Sequence, residues 1–215
     1  MGREFLNIFT EWAQAYDSFT FGDDPQYSQV FHRYEDILTH IVTQSGQAVI
    51  EFGIGTGNLT KRLLEAHKFV FPVEPSKEMA TIAQEKLGKN VTIYDGDLLC
   101  FPIPETEIDT IAHSYVFHHL NDDEKEKAIQ LYHSILIPGG KIVYADTMFT
   151  SDDAYQTAIK SAEAAGFTHL SNDLKREYYP LIPTIRSLFE KNGFEVTFEQ
   201  YNDFVWLVEA IKPSS

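Results

Sequence analysis

The chain has 215 residues, close to one domain at ~150 residues each, and its 43% hydrophobic and 23% charged content excludes a mainly disordered protein. Its 17 basic and 32 acidic side chains leave a net charge of −15, which argues against phosphate backbones and anionic lipid as partners. A single cysteine, Cys100, excludes an internal disulfide or a cysteine metal cluster and fits a reducing compartment.

The N-terminus, Met1-Gly2-Arg3-Glu4-Phe5, carries an acid and no apolar run, so no secretory signal is expected. No stretch nears ~18 uninterrupted apolar residues, so the expectation is a soluble, cytoplasmic protein with no membrane partner. Phe5, Phe9, Trp12, Tyr16 and Phe19 recur at steps of four and three, one stripe of a helix. Gly22-Asp23-Asp24-Pro25 breaks it, and Tyr27, Phe31, Tyr34, Ile37, Leu38 and Ile41 form a second stripe that ends before Gly46. Stripes of this kind are ordinarily core; the sharper reading makes some of these aromatics a lid.

From residue 47 the rhythm changes. Five short apolar runs, Ala48–Ile50, Phe69–Val73, Val91–Tyr94, Ile108–Val116 and Lys141–Ala145, alternate with helical patterns. Ser76 caps one helix, Gly88 stops it, and Asn121 to Glu124 is a capping-box pattern for the next. Such alternation predicts βαβ units and a parallel sheet covered on both faces. Two or three helices follow, including 152–165 and 183–191. Phe194–Tyr201 and Phe204–Ile211 then read as a hairpin turning at Asn202-Asp203.

Ligands of open α/β sheets bind beyond the carboxyl ends of the strands. After the first strand comes Glu51-Phe52-Gly53-Ile54-Gly55-Thr56-Gly57-Asn58. Its G-x-G-x-G spacing departs from the dinucleotide G-x-G-x-x-G, and no G-K-[ST] follows, so neither NAD nor a P-loop nucleotide is expected. Glu51, two residues before the first glycine, would repel a pyrophosphate and suits an ammonium or a sulfonium. Glu74 ends the second strand 21 residues beyond Gly53, where an acid accepts bonds from two ribose hydroxyls. Asp95-Gly96-Asp97-Leu98 follows the third run and offers a carboxylate to an adenine amino group.

Val49 to Gly57 resembles the first motif of class I S-adenosylmethionine-dependent methyltransferases. Val73-Glu74-Pro75-Ser76 with Met79 is similar to the second, Gly96-Asp97-Leu98 to the third, and Ile108 to Ser114 with His118-His119-Leu120 to the fourth. Leu136 to Gly140 matches the loop before the fifth strand. Five motifs in order across 48–147 are strong, and the whole chain most resembles a group of small, uncharacterised bacterial methyltransferases. The resemblance implies an α/β, Rossmann-like, doubly wound and mostly parallel sheet of seven strands with a C-terminal antiparallel hairpin. It implies a single domain over 1–215: a helical lid (1–45), a cofactor-binding core (46–147), a helical insert (148–193) and the hairpin (194–212). It implies S-adenosyl-L-methionine as cofactor, held by Glu51 at the ammonium and by the backbone at Gly53 and Gly55. Glu74 would hold the ribose, Asp97 and the Leu98 N–H the adenine, and Ser114 would lie near the methyl group.

The acceptor is less legible. Ser114-Tyr115-Val116-Phe117 stands where enzymes that methylate exocyclic amines carry an N-P-P-Y-like motif, and Cys100 is out of place for a cytosine nucleophile. Cys100 reads as a small buried hydrophobe. His118 and His119 are candidate bases, although histidines here are often plain turn residues, and no third ligand at a telling spacing predicts a metal site. Tyr16, Tyr27, Tyr178, Tyr179 and Asp146 are further candidates for the acceptor pocket, unranked. The reading adopted is methyl transfer by in-line displacement to a small molecule. A protein or RNA methyltransferase and a non-catalytic cofactor-binding protein stay open as alternatives.

Overall fold

A computed structural model describes Asp17, Thr20 and residues 24–214. The first aromatic stripe, Phe5 to Phe19, lies outside the described residues. The chain then runs through α1 (Tyr34–Gln44), β1 (Ala48–Phe52), α2 (Asn58–Glu65), β2 (Phe69–Val73), α3 (Lys77–Leu87) and β3 (Ile108–Ser114). A 3-10 turn at Phe117–His119 leads into α4 (Asp122–Ile135), β4 (Leu136–Thr147), α5 (Asp152–Ala164), α6 (Thr168–Arg176) and α7 (Ile182–Lys191). The strands β5 (Glu195–Gln200) and β6 (Val205–Ile211) close the sheet.

Six strands lie in the order β2-β1-β3-β4-β6-β5. The first four pair in parallel, and β6 runs antiparallel to both β4 and β5. The expected count of seven is thereby corrected among the described residues. The run Val91–Tyr94 contributes one bridge, Tyr94 to Val73, on the outer edge of β2. Tyr94 N–H donates to the Pro72 carbonyl and Glu74 N–H to the Tyr94 carbonyl, at 2.9 and 3.0 Å. The next rung would need an N–H from Pro72, which has none, so the ladder stops after one residue.

Alternating side chains build two cores. On one face Ile50, Phe52, Ile111 and Tyr144 meet α4 and α7 through Tyr132 and Phe189. On the other, Val49, Ala112, Val143 and Leu207 meet α1, α2, α5 and α6. Tyr34, Ile37, Leu38 and Ile41 belong to this second core, so the second aromatic stripe is packed interior. Each such fully buried apolar side chain is worth ~1.5–3 kcal/mol, enough to hold the strand ends rigid. Local signals operate as read. Ser76 accepts from Met79 N–H at 3.3 Å, Gly88 ends α3 at φ +81°, and Asn121 with Glu124 forms a capping box. Cys100 is exposed, against the buried position expected for it. Its N–H is tied into the Asp97 turn, which leaves it at the surface among the described residues. No helix among the described residues is long and apolar enough to cross a membrane.

Candidate active site

The chain passes from β1 to β2 on one side, then returns to place β3 on the other side of β1. This reversal between β1 and β3 opens the crevice where α/β sheets bind ligands. The glycine loop lies at its floor. Gly53, Gly55 and Gly57 all have positive φ, +59°, +55° and +85°. A Cβ at Gly53 would stand 2.7 Å from a Val116 methyl, so the position needs glycine on both counts.

Glu51 interrupts the apolar strand β1 with a carboxylate that is 1% exposed. Its Oε2 accepts no hydrogen bond from the described residues. Burial pushes its pKa up to about 8, partly opposed by Thr60 and reinforced by the charge of Glu74. Glu74, 6% exposed, accepts from Gly55 N–H through Oε2 and from Ser76 N–H through Oε1, both at 2.9 Å. Burial raises its pKa to about 7 against the pull of these two donors. It therefore ties the end of β2 to the glycine loop, a link that spacing alone does not reveal.

Asp97 folds back on its own turn, with Oδ1 accepting from Leu99 and Cys100 N–H at 2.9 Å each. Leu98 is buried, and its carbonyl accepts from the Tyr132 hydroxyl at 2.9 Å. Ser114 ends β3, partly buried, opposite Ala145 of β4. Tyr115 follows with φ +56°, a conformation rare outside glycine that flags strand ends with a job to do. Its N–H donates to the Ala145 carbonyl at 2.8 Å, and its ring packs against Phe31 and Tyr34.

Sequence reasoning missed one feature outright and named a second only as scattered residues. The first is Asp17, whose Oδ1 accepts from the Thr56 hydroxyl at 2.6 Å and the Asn58 amide at 3.1 Å, while Lys86 binds Oδ2 at 2.8 Å. Desolvation works against its charge, but Lys86, Thr56 and Asn58 outweigh it and hold the carboxyl below its usual range. Asp17, far from the loop in sequence, is thus pinned to the last part of the glycine motif.

The second is a buried polar cluster at the ends of β3 and β4. Asp146, fully buried, accepts from the His118 ring at 2.6 Å and from the His118 N–H at 3.0 Å. Glu177 approaches the other His118 nitrogen at 3.4 Å and accepts from the Tyr179 hydroxyl at 2.6 Å. Burial alone would lower the His118 pKa, but Asp146 and then Glu177 more than offset it, and the net shift is upward. Burial raises the carboxyl of Glu177. His119 stands beside His118, ring centres 4.2 Å apart, and burial followed by His118 holds its pKa well down. Of the residues named from sequence, His118, His119, Asp146, Tyr178 and Tyr179 come together here. Tyr27 instead donates to Asp173, and Tyr16 lies outside the described residues. Glu177 carries no local motif; only the fold of the insert brings it in. A cleft of about 480 Å³ opens beside the cluster, lined chiefly by Asn121, Asp122, Tyr155, Glu177, Tyr178 and Tyr179.

Comparison with known proteins now decides the family. A profile described as "Methyltransferase domain" matches residues 49–140. An uncharacterized methyltransferase of Anoxybacillus flavithermus is 55% identical over 212 residues, covering 99% of this chain and 100% of the relative. One from Bacillus mycoides is 54% identical over the same coverage. This chain belongs to the methyltransferase family.

Solved structures share the fold of this methyltransferase. Magnesium protoporphyrin IX methyltransferase from Synechocystis, with bound S-adenosylhomocysteine, matches at TM-score 0.67 and 17% identity over 96% of this chain and 99% of that one. Phosphoethanolamine N-methyltransferase 2 from Haemonchus contortus, in complex with S-adenosylmethionine, matches at 0.71 and 14% over 99% of this chain and 60% of that one. The methyltransferase takes S-adenosylmethionine as its donor.

Proposed function

We propose that this methyltransferase transfers the methyl group to a small molecule, and that the donor lies across the strand ends against Glu51, Gly53, Gly55, Glu74, Asp97, Leu98 and Ser114. The observation that carries the donor's placement is the buried Glu51 oxygen without a hydrogen-bond donor among the described residues. An acceptor atom so placed costs stability unless a cation or donor meets it, and the ammonium of a methionine moiety answers that need. The positive-φ glycines beside it leave the backbone open to close approach. Glu74 spends one lone pair of each oxygen on Gly55 and Ser76, and a carboxylate keeps about two more sites for ribose hydroxyls. Asp97, whose Oδ1 is held by its own turn, is the carboxylate placed for the adenine amino group.

When bound, the donor supplies an electrophilic methyl on a sulfonium. The chain's task is alignment, since holding two reactants in line supplies ~7–11 kcal/mol without covalent catalysis. Ser114 and Tyr115 end β3 next to Ala145 of β4, and the chain reaches His118 of the cluster three residues later, with Asp146 following Ala145. That cluster and the cleft of about 480 Å³ beside it form the acceptor side. The size suits a small molecule, within the ~300–1,000 Å³ usual for such sites. Asp17, bound to Thr56, Asn58 and Lys86, supports a covering role at its own position over the glycine loop, whereas Tyr34, Ile37, Leu38 and Ile41 of the expected lid are core. Localisation in the cytoplasm belongs to the same proposal.

The test has two arms. Calorimetry should find S-adenosylhomocysteine bound more tightly than NAD, and a panel of small acceptors should release S-adenosylhomocysteine from S-adenosylmethionine. Tighter NAD binding refutes the donor site. Turnover only with protein or RNA substrates refutes the small acceptor.

A further inference from the structure

We propose that His118, His119 and Glu177 form a binding site for one divalent transition-metal ion. Each offers a ligand atom, and the three atoms lie within 4.8 Å of one another. His118 Nε2 and Glu177 Oε2 are 3.4 Å apart. That is about the separation of two ligands bonded at ~2.0–2.1 Å to one tetrahedral ion.

The surroundings are those of a held ligand set. Asp146 takes up Nδ1 of His118 at 2.6 Å and its main-chain N–H at 3.0 Å. A carboxylate behind the ring fixes the tautomer and points the other nitrogen at the ion, an arrangement typical of metal-bound histidine. The Tyr179 hydroxyl orients Glu177 at 2.6 Å. The backbone is tied as well: Tyr178 N–H donates to the His118 carbonyl at 3.0 Å, and Lys125 Nζ to the Tyr178 carbonyl at 2.8 Å. Both histidines are 7% exposed. Glu177 lines the cleft, which leaves a side from which water or an acceptor oxygen completes the coordination.

The charge balance permits a cation. Arg176 approaches Glu177 Oε1 at 3.7 Å, but its closer partner is Asp173 at 2.6 Å. Asp146, Asp173 and Glu177 outnumber Arg176 and Lys125 by one. The rival arrangement is a shared proton, with a charged His118 held between Asp146 and Glu177. Two imidazoles and one carboxylate favour zinc, cobalt, nickel or ferrous iron over magnesium or calcium.

The inference does not depend on methyl transfer, and its test uses no turnover. The untagged full chain is stripped with a chelator and titrated with Co²⁺ by visible absorption and with Zn²⁺ by calorimetry. One ion per chain is expected, with a four- or five-coordinate Co²⁺ spectrum and a rise in Tm on Zn²⁺ binding. Glu177→Gln keeps the shape and His119→Ala leaves the Asp146 pair intact; each should weaken binding by roughly 100-fold or more. Asp146→Asn, acting only through His118, should cost about 10- to 100-fold. His169→Ala, at an exposed histidine, should bind like the parent chain. Circular dichroism confirms that each variant is folded. Absence of a bound ion, Mg²⁺ binding as tight as Zn²⁺, or affinity unmoved in folded Glu177→Gln and His119→Ala would each overturn the site and favour the shared proton.

Discussion

Donor binding should expel protons from the protein. Burial places the carboxyl of Glu51 at about 8 and that of Glu74 at about 7. At pH 7 these raised values leave Glu51 mostly protonated and Glu74 partly so. An ammonium beside Glu51 and ribose hydroxyls on Glu74 both favour the ionised forms. Saturation with S-adenosylhomocysteine should then release on the order of one proton at pH 7 and clearly less at pH 8.5. Affinity should rise with pH, about tenfold or more from pH 6 to pH 7, and level off above pH 8. S-adenosylhomocysteine is the better probe because it keeps the ammonium and lacks the sulfonium. The assay is calorimetry in two buffers of different ionisation enthalpy, whose apparent enthalpies differ in proportion to the protons released. Glu51→Gln, neutral at every pH, should remove the larger part of the proton release and leave the weaker pH dependence of Glu74. Equal apparent enthalpies in both buffers at pH 7 would falsify the placement of the ammonium against Glu51.

The other predictions are more direct. Glu74→Ala should weaken S-adenosylhomocysteine binding by about 2–4 kcal/mol, because charge-assisted bonds to ribose are lost and the Gly55 N–H is left unmet. Glu74→Gln should lose less, and unchanged affinity in Glu74→Ala measured by calorimetry would remove the ribose contact. Gly53→Ala puts a Cβ 2.7 Å from Val116 at φ +59°, so a loss of about 1–3 kcal/mol is expected in denaturant unfolding; a midpoint like the parent's would show that the loop adapts freely. Asp17→Ala cuts a half-exposed tie to Lys86 together with the bonds from Thr56 and Asn58. A cost near 1 kcal/mol, about fivefold in S-adenosylhomocysteine affinity, is expected, with faster amide exchange at 55–58. Identical exchange and affinity would leave Asp17 without a covering role.

The local rules of the chain were readable without a structure because they depend on near neighbours. Buried strands read as apolar runs, Ser76 and Asn121 cap through residues three positions on, and Gly53 must be glycine at its turn. Glu51 was conspicuous as the one charge in a buried strand, and Glu74 by its position at the end of the next. The strand count was not readable, since whether Val91–Tyr94 forms a ladder depends on the missing N–H of Pro72 on a different strand. The exposure of Cys100 was misread for a similar reason, as an apolar neighbourhood in sequence does not say what lies overhead. Glu177 and Asp17 were invisible, each being an ordinary acid on the surface of its own segment. Their meaning comes from meetings of distant segments, Glu177 just beyond α6 against the 3-10 turn after β3, and Asp17 against the glycine loop. Periodicity and capping are properties of a few adjacent residues and survive in the sequence. A carboxylate set against a histidine 59 positions away is produced only when hydrophobic packing has fixed both backbones, and the packing is a property of the whole chain.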